Sequence, residues 1–388
     1  TIMSNPYLTW VEIDAAALRK NLKRFREVVG DDVLLSVVVK ANAYGHGVAR
    51  IAPLAVEAGA DWLVAESLEE GLMLREMGLK RPILLLGNVQ LIDLRRAAQA
   101  DLRLTVFTVE ALEELARVAP EVDRDIKVHL KVETGMNRRG MLLEDLPRAL
   151  DLIKGTENIT LEGLCSHFAT ADEPEDPAHA QLQIENFNRV VTLVEKSGLR
   201  PAIRHLSNSA GTALLDQARY DMVRVGISMY GLWPSEQARR ICLEKAIGPQ
   251  GLSPVLTWKT RVVQVKEIPA GSYVGYGRTF QAGRRTRVAA LPIGYSDGYD
   301  RKLSNRADAL VRGQRAPVVG RVSMNVTMID VTGIDGISFG DEVVLLGRQG
   351  DCEVSADELA GLLETINYEV VTRISWALPR VVVNRDEP

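Results

Sequence analysis

From about residue 33 to residue 246, short apolar runs rich in β-branched residues alternate with longer stretches in which apolar positions recur at helical spacing. Ahead of this rhythm lies a short apolar segment, 7–13. Asp14 then caps a helix that carries Leu18, Leu22 and Phe25 on one face as far as about Val29. The runs at 33–39, 62–65, 83–86, 102–107, 126–132, 159–165, 203–206 and 222–225 read as strands. The stretches at 48–57, 68–77, 109–118, 144–154 and 179–196 read as helices between them. About eight strand-helix units of this kind fit an N-terminal (β/α)8 TIM-type barrel, which typically takes roughly 250 residues. An open doubly wound sheet is the competing arrangement, but it would want a glycine-rich dinucleotide fingerprint after an early strand. The segment Ala41–Gly47 does not follow that pattern.

The rhythm stops at 247–254, where Gly248, Pro249, Gly251 and Pro254 punctuate the chain. Beyond it, β-branched runs at 255–265, 288–293, 309–311, 317–329 and 342–346 are split by glycine turns, with one helix expected at 356–365. The chain therefore reads as a barrel over 12–246 and a C-terminal, mainly-β domain over 247–388 that also takes residues 1–11. A length of 388 residues suits two domains. The formal net charge of -4 leaves no positive field to gather nucleic acid or an anionic membrane, so the expected partner is a small molecule. No apolar run reaches the roughly 18 residues of a membrane span and no signal-peptide pattern opens the chain, so a cytoplasmic location is expected. Cys165, Cys242 and Cys352 are far apart and lack metal-ligand spacing; they read as plain buried thiols, with no metal site. Thr1 and Ile2 precede Met3, and the expectation is that Met3 is the initiator and the two residues before it derive from cloning.

Barrel enzymes build their sites at the C-terminal ends of the strands, so the polar residues there are the candidates. Strand one ends in Lys40, followed by Tyr44 in a glycine-rich turn. Burial there would lower the lysine's pKa toward the range of a nucleophilic or Schiff-base amine. A lysine that merely snorkels to water is the alternative. Strand five ends near Lys131, before Gly135-Met136-Asn137-Arg138-Arg139-Gly140, and strand six ends at His167. Strands seven and eight lead to Ser209 and to Arg224, Gly226 and Ile227, where a barrel usually cradles a phosphate. A reactive lysine facing such a cradle suggests pyridoxal 5'-phosphate, while a phosphate site alone would suit a sugar-phosphate enzyme. Arg224 is placed to meet the pyridine nitrogen, and since arginine keeps its protons it would leave the ring a weaker electron sink.

With these residues in place the whole chain resembles the alanine racemase family, pyridoxal-phosphate enzymes built from a (β/α)8 barrel and a C-terminal β domain. The resemblance implies a homodimer with shared sites that interconverts L- and D-alanine through a cofactor Schiff base, with D-alanine serving peptidoglycan or alanine breakdown. It makes Lys40 the Schiff-base residue and one of two catalytic bases. Tyr276, in Val274-Gly275-Tyr276-Gly277, is implied as the second base, delivered by the partner subunit. By the same resemblance Tyr44, Ser209, Gly226, Ile227 and Tyr368 hold the phosphate and His167 stacks on the pyridine ring. Arg138 and the backbone N–H of Met324 hold the substrate carboxylate, and Lys131, often carbamylated in the family, steadies that arginine. Tyr295 narrows the entrance, with Arg301 and Asp172 further out. Two bases follow from the chemistry, because racemisation removes a proton from one face and returns one to the other. A hydrogen-bond chain from Tyr276 through His167 to Arg224 would favour the phenolate.

Taken singly, each residue has an ordinary reading: His167 as a core histidine, Arg138 and Arg139 as a solvated pair, Lys131 as an exposed strand residue, Tyr276 as a turn tyrosine, Met324 as core. His46 and His129 carry no assigned role. Two positions depart from the family: Asn325 stands where aspartate is usual, and Ala377 where arginine is common. Asn325 keeps a broader substrate range open. A pyridoxal-phosphate decarboxylase is the nearest rival, yet it would want an acidic partner for the ring nitrogen and a reactive late cysteine. A non-catalytic cofactor-binding protein would have no use for Tyr276.

Overall fold

The computed structural model describes residues 6–385; Thr1, Ile2 and Met3 of the initiator expectation lie outside them. The chain divides into two compact units. One holds Leu18–Ala43 and Ile51–Ser253; the other holds the chain up to Ala17, the segment Tyr44–Arg50, and the chain from Pro254. No helix among the described residues is long and apolar enough to cross a membrane.

The first unit is an eight-stranded parallel barrel. Its strands, in order, are Leu34–Val38, Trp62–Ala65, Ile83–Leu85, Leu102–Val106, Ile126–Lys131, Ile159–Cys165, Ile203–His205 and Met222–Val225, and the eighth pairs with the first. Two backbone bonds join strands seven and eight and nearly close the ring: Asp221 N–H to the Arg204 carbonyl at 3.1 Å and Arg224 N–H to the Ser207 carbonyl at 3.0 Å. The strands are buried almost throughout because helices cover their outer faces, which is why they read as continuous rather than alternating apolar runs. Asp14 accepts a bond from Ala17 N–H at 2.8 Å ahead of the helix Ala15–Val29. Helices Leu68–Glu76 and Val109–Val118 start on Ser67 and Thr108, whose hydroxyls accept the free N–H groups of the first turn.

Three barrel-unit helices fell outside the sequence reading: Leu94–Gln99, Ser209–Leu214 and Glu236–Lys245. The first two are six residues each, too short for a helical period to declare itself, and Ser209–Leu214 is mostly small residues. The barrel interior is also unusually polar: Arg103, Thr105, His129, Lys131, His205 and Arg224 all lie buried on its strands.

In the second unit, six strands pair in the order Gln314–Pro317, Asp308–Val311, Glu342–Gln349, Leu256–Arg261, Thr9–Asp14, Arg380–Val383, with Cys352–Val354 added beside Glu342–Gln349. A second sheet joins Gln264–Ile268, Thr286–Leu291 and Thr327–Asp330, and a small hairpin pairs Tyr273–Val274 with Phe280–Gln281. Two expectations need correction. The run 317–329 is not one strand: Gly320, at φ +77°, turns the chain, and 318–326 form a loop between two short strands. There are two helices, Ala356–Leu363 and Asn367–Thr372, because Glu364 in the left-handed region ends the first. Cys165 and Cys242 are buried, whereas Cys352 is only half-buried.

Candidate active site

Lys40 follows the first barrel strand at the start of a turn that runs left-handed: Ala41, Asn42, Ala43 and Tyr44 have φ between +52° and +53°. Each such non-glycine residue costs roughly 1–2 kcal/mol, so the surrounding structure has to hold the turn. Glu70 does part of this, accepting Ala41 N–H at 2.7 Å and Glu66 N–H at 2.7 Å with its two oxygens. Lys40 Nζ is half-buried and lies 2.9 Å from Glu66 Oε2, while Arg139 reaches the other oxygen of the same carboxylate at 2.9 Å. Burial would raise the Glu66 pKa, but the two cations outweigh it and hold the group below the usual carboxylate range. Neither Glu66 nor Arg139 was singled out from the sequence.

Arg224, buried on strand eight opposite Ser36 of strand one, is a second hub at the barrel mouth. Its Nη2 donates to the carbonyls of Ser166 at 2.8 Å and Leu206 at 3.1 Å and to His167 Nδ1 at 3.2 Å. Its Nη1 donates to His205 Nδ1 at 2.5 Å and to the His205 carbonyl at 3.2 Å. Both terminal nitrogens are thus used, and Nε is the guanidinium's remaining donor. Since Arg224 can only donate, His167 accepts at Nδ1 and carries its proton on Nε2. Burial, then the charges of Arg224, Lys131, Arg138 and Lys40, push the His167 pKa well below its ordinary value. Those four cations acting on one imidazole show that the ends of strands one, five, six and eight converge.

Beside this hub, Ser209 Oγ accepts Gly226 N–H at 2.9 Å and Ser228 N–H at 3.4 Å, so Ser209, Gly226 and Ile227 come together where strands seven and eight end. Lys131 is buried, and its pKa falls to about 8: burial dominates, Cys165 offsets part of it, and Arg224, Arg139 and Arg138 add repulsion. Arg138 itself is exposed on the loop after strand five. Asp172 is half-buried in the loop after strand six, its carbonyl accepting the Ser235 hydroxyl.

The second unit carries the remaining candidates. Tyr44 and Tyr368 pack their rings 6.1 Å apart. Tyr276 stands on the tip of the 273–281 hairpin with its side chain largely in solvent, 72% exposed, between Gly275 and Gly277 at positive φ. The φ of +73° at Gly277 favours glycine in this turn, and a Cβ there would also displace the Arg321 guanidinium, 2.9 Å away. Tyr295 and Arg301 line an open cleft of about 530 Å³ with Asp300 and Arg373, which pair at 3.0 Å. Met324 is exposed; its carbonyl accepts Ser296 N–H at 3.1 Å and the Ser296 hydroxyl at 2.8 Å, while its own N–H meets no acceptor among the described residues. Asn325 donates to the Ser296 hydroxyl at 2.8 Å.

A parallel barrel with an amine, a small-hydroxyl cradle and a buried guanidinium at the C-terminal ends of its strands, joined to a β domain, is a two-domain barrel enzyme. Family models described as the alanine racemase N-terminal and C-terminal domains match residues 13–234 and 255–382. The alanine racemase of Symbiobacterium thermophilum is 44% identical over 96% of both chains. The crystal structure of alanine racemase from Bacillus anthracis with bound L-Ala-P superposes with a TM-score of 0.91 at 36% identity, covering 98% of this chain and 96% of that one. A histidine racemase from Leuconostoc mesenteroides superposes with a TM-score of 0.88 at 30% identity, over 98% and 99%. The chain belongs to the alanine racemase family.

Proposed function

We propose that this enzyme interconverts L-alanine and D-alanine with pyridoxal 5'-phosphate bound at the barrel mouth, as a cytoplasmic homodimer, supplying D-alanine for peptidoglycan or interconverting alanine for catabolism. The observation that carries the reading is the Arg224–His167 bond at 3.2 Å beside the Ser209–Gly226 cradle, with the charges of Lys131, Arg138 and Lys40 also bearing on His167. The residues fit the cofactor. Lys40 supplies the amine; the Ser209 hydroxyl proton and Ile227 N–H suit a phosphate, which would also draw Gly226 N–H from Ser209 Oγ; and Arg224 has one donor, Nε, left for a ring nitrogen. Tyr44 and Tyr368 are the phosphate-holding hydroxyls of the second unit in this reading. When bound, pyridoxal phosphate makes the α-proton of an attached amino acid acidic by drawing its electrons into the ring.

The protein's part is to bind, orient and move that proton. Arg138 and the N–H of Met324, which meets no acceptor among the described residues, take the substrate carboxylate, and Lys131, once carbamylated, steadies Arg138. Lys40 would exchange the α-proton on one face. Tyr276 exchanges it on the other face, and its exposure on a hairpin tip suits delivery into a partner's site. His167, with Nδ1 occupied by Arg224, offers Nε2–H to the phenolate oxygen and so lowers the cost of its charge. Arg224 donates a hydrogen bond without giving up a proton, which limits how much charge the ring takes and so disfavours transamination. Tyr295, Arg301 and Asp172 restrict the approach.

Incubation of the protein with pyridoxal phosphate and L-alanine, followed by chiral chromatography, should show D-alanine approaching an equimolar mixture. Release of carbon dioxide without D-alanine would replace this reading with the decarboxylase. A broader substrate range is favoured by one feature, the neutral Asn325 beside Ser296 and Met324, where a carboxylate is usual in the family. Comparing L-alanine with L-serine and L-histidine in the same assay tests it; turnover of alanine alone would exclude the broader reading.

A further inference from the structure

The Arg224 hub does not end at His205. His205 Nε2 lies 2.8 Å from His129 Nδ1, and His129 Nε2 lies 3.1 Å from Glu162 Oε2. Both imidazoles are fully buried inside the barrel, so each polar nitrogen must find its partner within this chain of contacts. The proton positions then follow from one fixed point. Arginine has only donors, so His205 Nδ1 accepts and His205 carries its proton on Nε2. That N–H donates to His129, whose Nδ1 therefore accepts and whose Nε2–H donates to the Glu162 carboxylate. A proton added to either ring would set two N–H groups, or an N–H and the guanidinium, against each other. Burial first, and then neighbouring charge, correspondingly keep both imidazoles below their ordinary pKa; Glu162 pulls the other way at His129 without reversing it.

The backbone is built around this line. Strands five and six slip register between Val128 and His129, with Val128 opposite Leu161 and His129 opposite Gly163, so Glu162 is the extra residue of a bulge that turns its carboxylate toward His129. At Gly163 a Cβ would fall 2.2 Å from His129 Nδ1. Arg103 Nε lies 3.4 Å from the same Glu162 oxygen and Lys127 Nζ 3.6 Å from the other, and Trp62 packs edge-on against His129 with Arg103 over its face.

We propose that Glu162, His129 and His205 are positioning residues for Arg224: a buried relay that permits one set of tautomers and thereby fixes the guanidinium, leaving Nε as its free donor. The donor's use at the cofactor ring rests on the function proposed above; the tautomer order does not. The test begins with ligand-free protein labelled with 15N-histidine, read by long-range proton–nitrogen correlation from pH 6 to 8. Both buried histidines should be neutral with the proton on Nε2 throughout, and Nδ1–H or an imidazolium at either one overturns the relay even if no variant folds. In Glu162→Gln the amide oxygen still accepts His129 Nε2–H, so the tautomers that Arg224 dictates should persist, while the charge that anchors the end of the line is lost. Fluorescence titration should find pyridoxal phosphate bound about tenfold more weakly, with Glu162→Asp intermediate. Unchanged affinity in Glu162→Gln, or a proton on Nδ1 of His205 in that variant, overturns the proposal. Racemisation by the wild-type protein is measured alongside, so failure of the functional reading shows there and not in the tautomers.

Discussion

Replacing Lys131 by methionine should stabilise the ligand-free protein in acid and neutral solution. Lys131 sits at the end of the fifth strand, buried, with its pKa moved from 10.5 to about 8 by loss of hydration and, less strongly, by three guanidinium groups. That difference corresponds to about 3 kcal/mol by which the fold disfavours the ammonium. The folded pKa is below the unfolded one, so the unfolded chain binds the proton more tightly. Stability attached to this residue is therefore lost as pH falls through about 8 and is recovered as pH rises toward the unfolded value. Methionine keeps an unbranched side chain of similar length without the charge, and allowing about 1 kcal/mol for imperfect repacking leaves a gain of about 2 kcal/mol at pH 6.5. Urea unfolding followed by tryptophan fluorescence in carbon-dioxide-free buffer measures it. The gain should shrink by pH 9.5; no gain at pH 6.5, or one that ignores pH, would refute the reasoning. The same shift leaves about half of this amine neutral near pH 8, against roughly 0.3% for an unburied lysine. Such an amine adds carbon dioxide and releases a proton, giving a carbamate next to Arg138, Arg139 and Arg224. With 13C-bicarbonate at pH 8 a carbamate carbon resonance should appear in the wild type and be absent from Lys131→Met.

Three further outcomes follow from the site. Tyr276→Phe should keep cofactor binding yet lose α-proton exchange with solvent deuterium at least a hundredfold more from one enantiomer of alanine than from the other; equal losses would count against opposed bases. Mixing Lys40→Ala chains with Tyr276→Phe chains should restore activity if hybrid dimers assemble one intact site, and confirmed hybrids without activity would argue for sites built within one chain. Gly163→Ala should destabilise the protein by about 3 kcal/mol, read as a lower urea midpoint, because its Cβ has no room beside His129 unless strand six shifts. A midpoint equal to wild type would mean that the bulge relaxes freely.

What the sequence revealed and what it hid divide along a physical line. The barrel strands were legible because burial on both faces demands unbroken apolar runs, and the strand ends were legible because chemistry in such barrels collects there. Lys40, Arg224 and Ser209 could be named from position alone. Glu66 could not, because its bonds to Lys40 and Arg139 depend on the residues that follow strands one, two and five meeting at one end of the barrel, which no local pattern encodes. Arg138 drew attention as the substrate ligand, while its neighbour Arg139 proved to be the arginine tied into the lysine's ion pair. His129 and His205 were hidden for a deeper reason: each looks like an isolated polar residue in an apolar run, and only the register slip opposite Glu162 turns them into a line. One signal for that slip was present. A charged residue followed by glycine in mid-strand, Glu162-Gly163, is poor strand chemistry unless the backbone bulges or something approaches it closely, and here both occur.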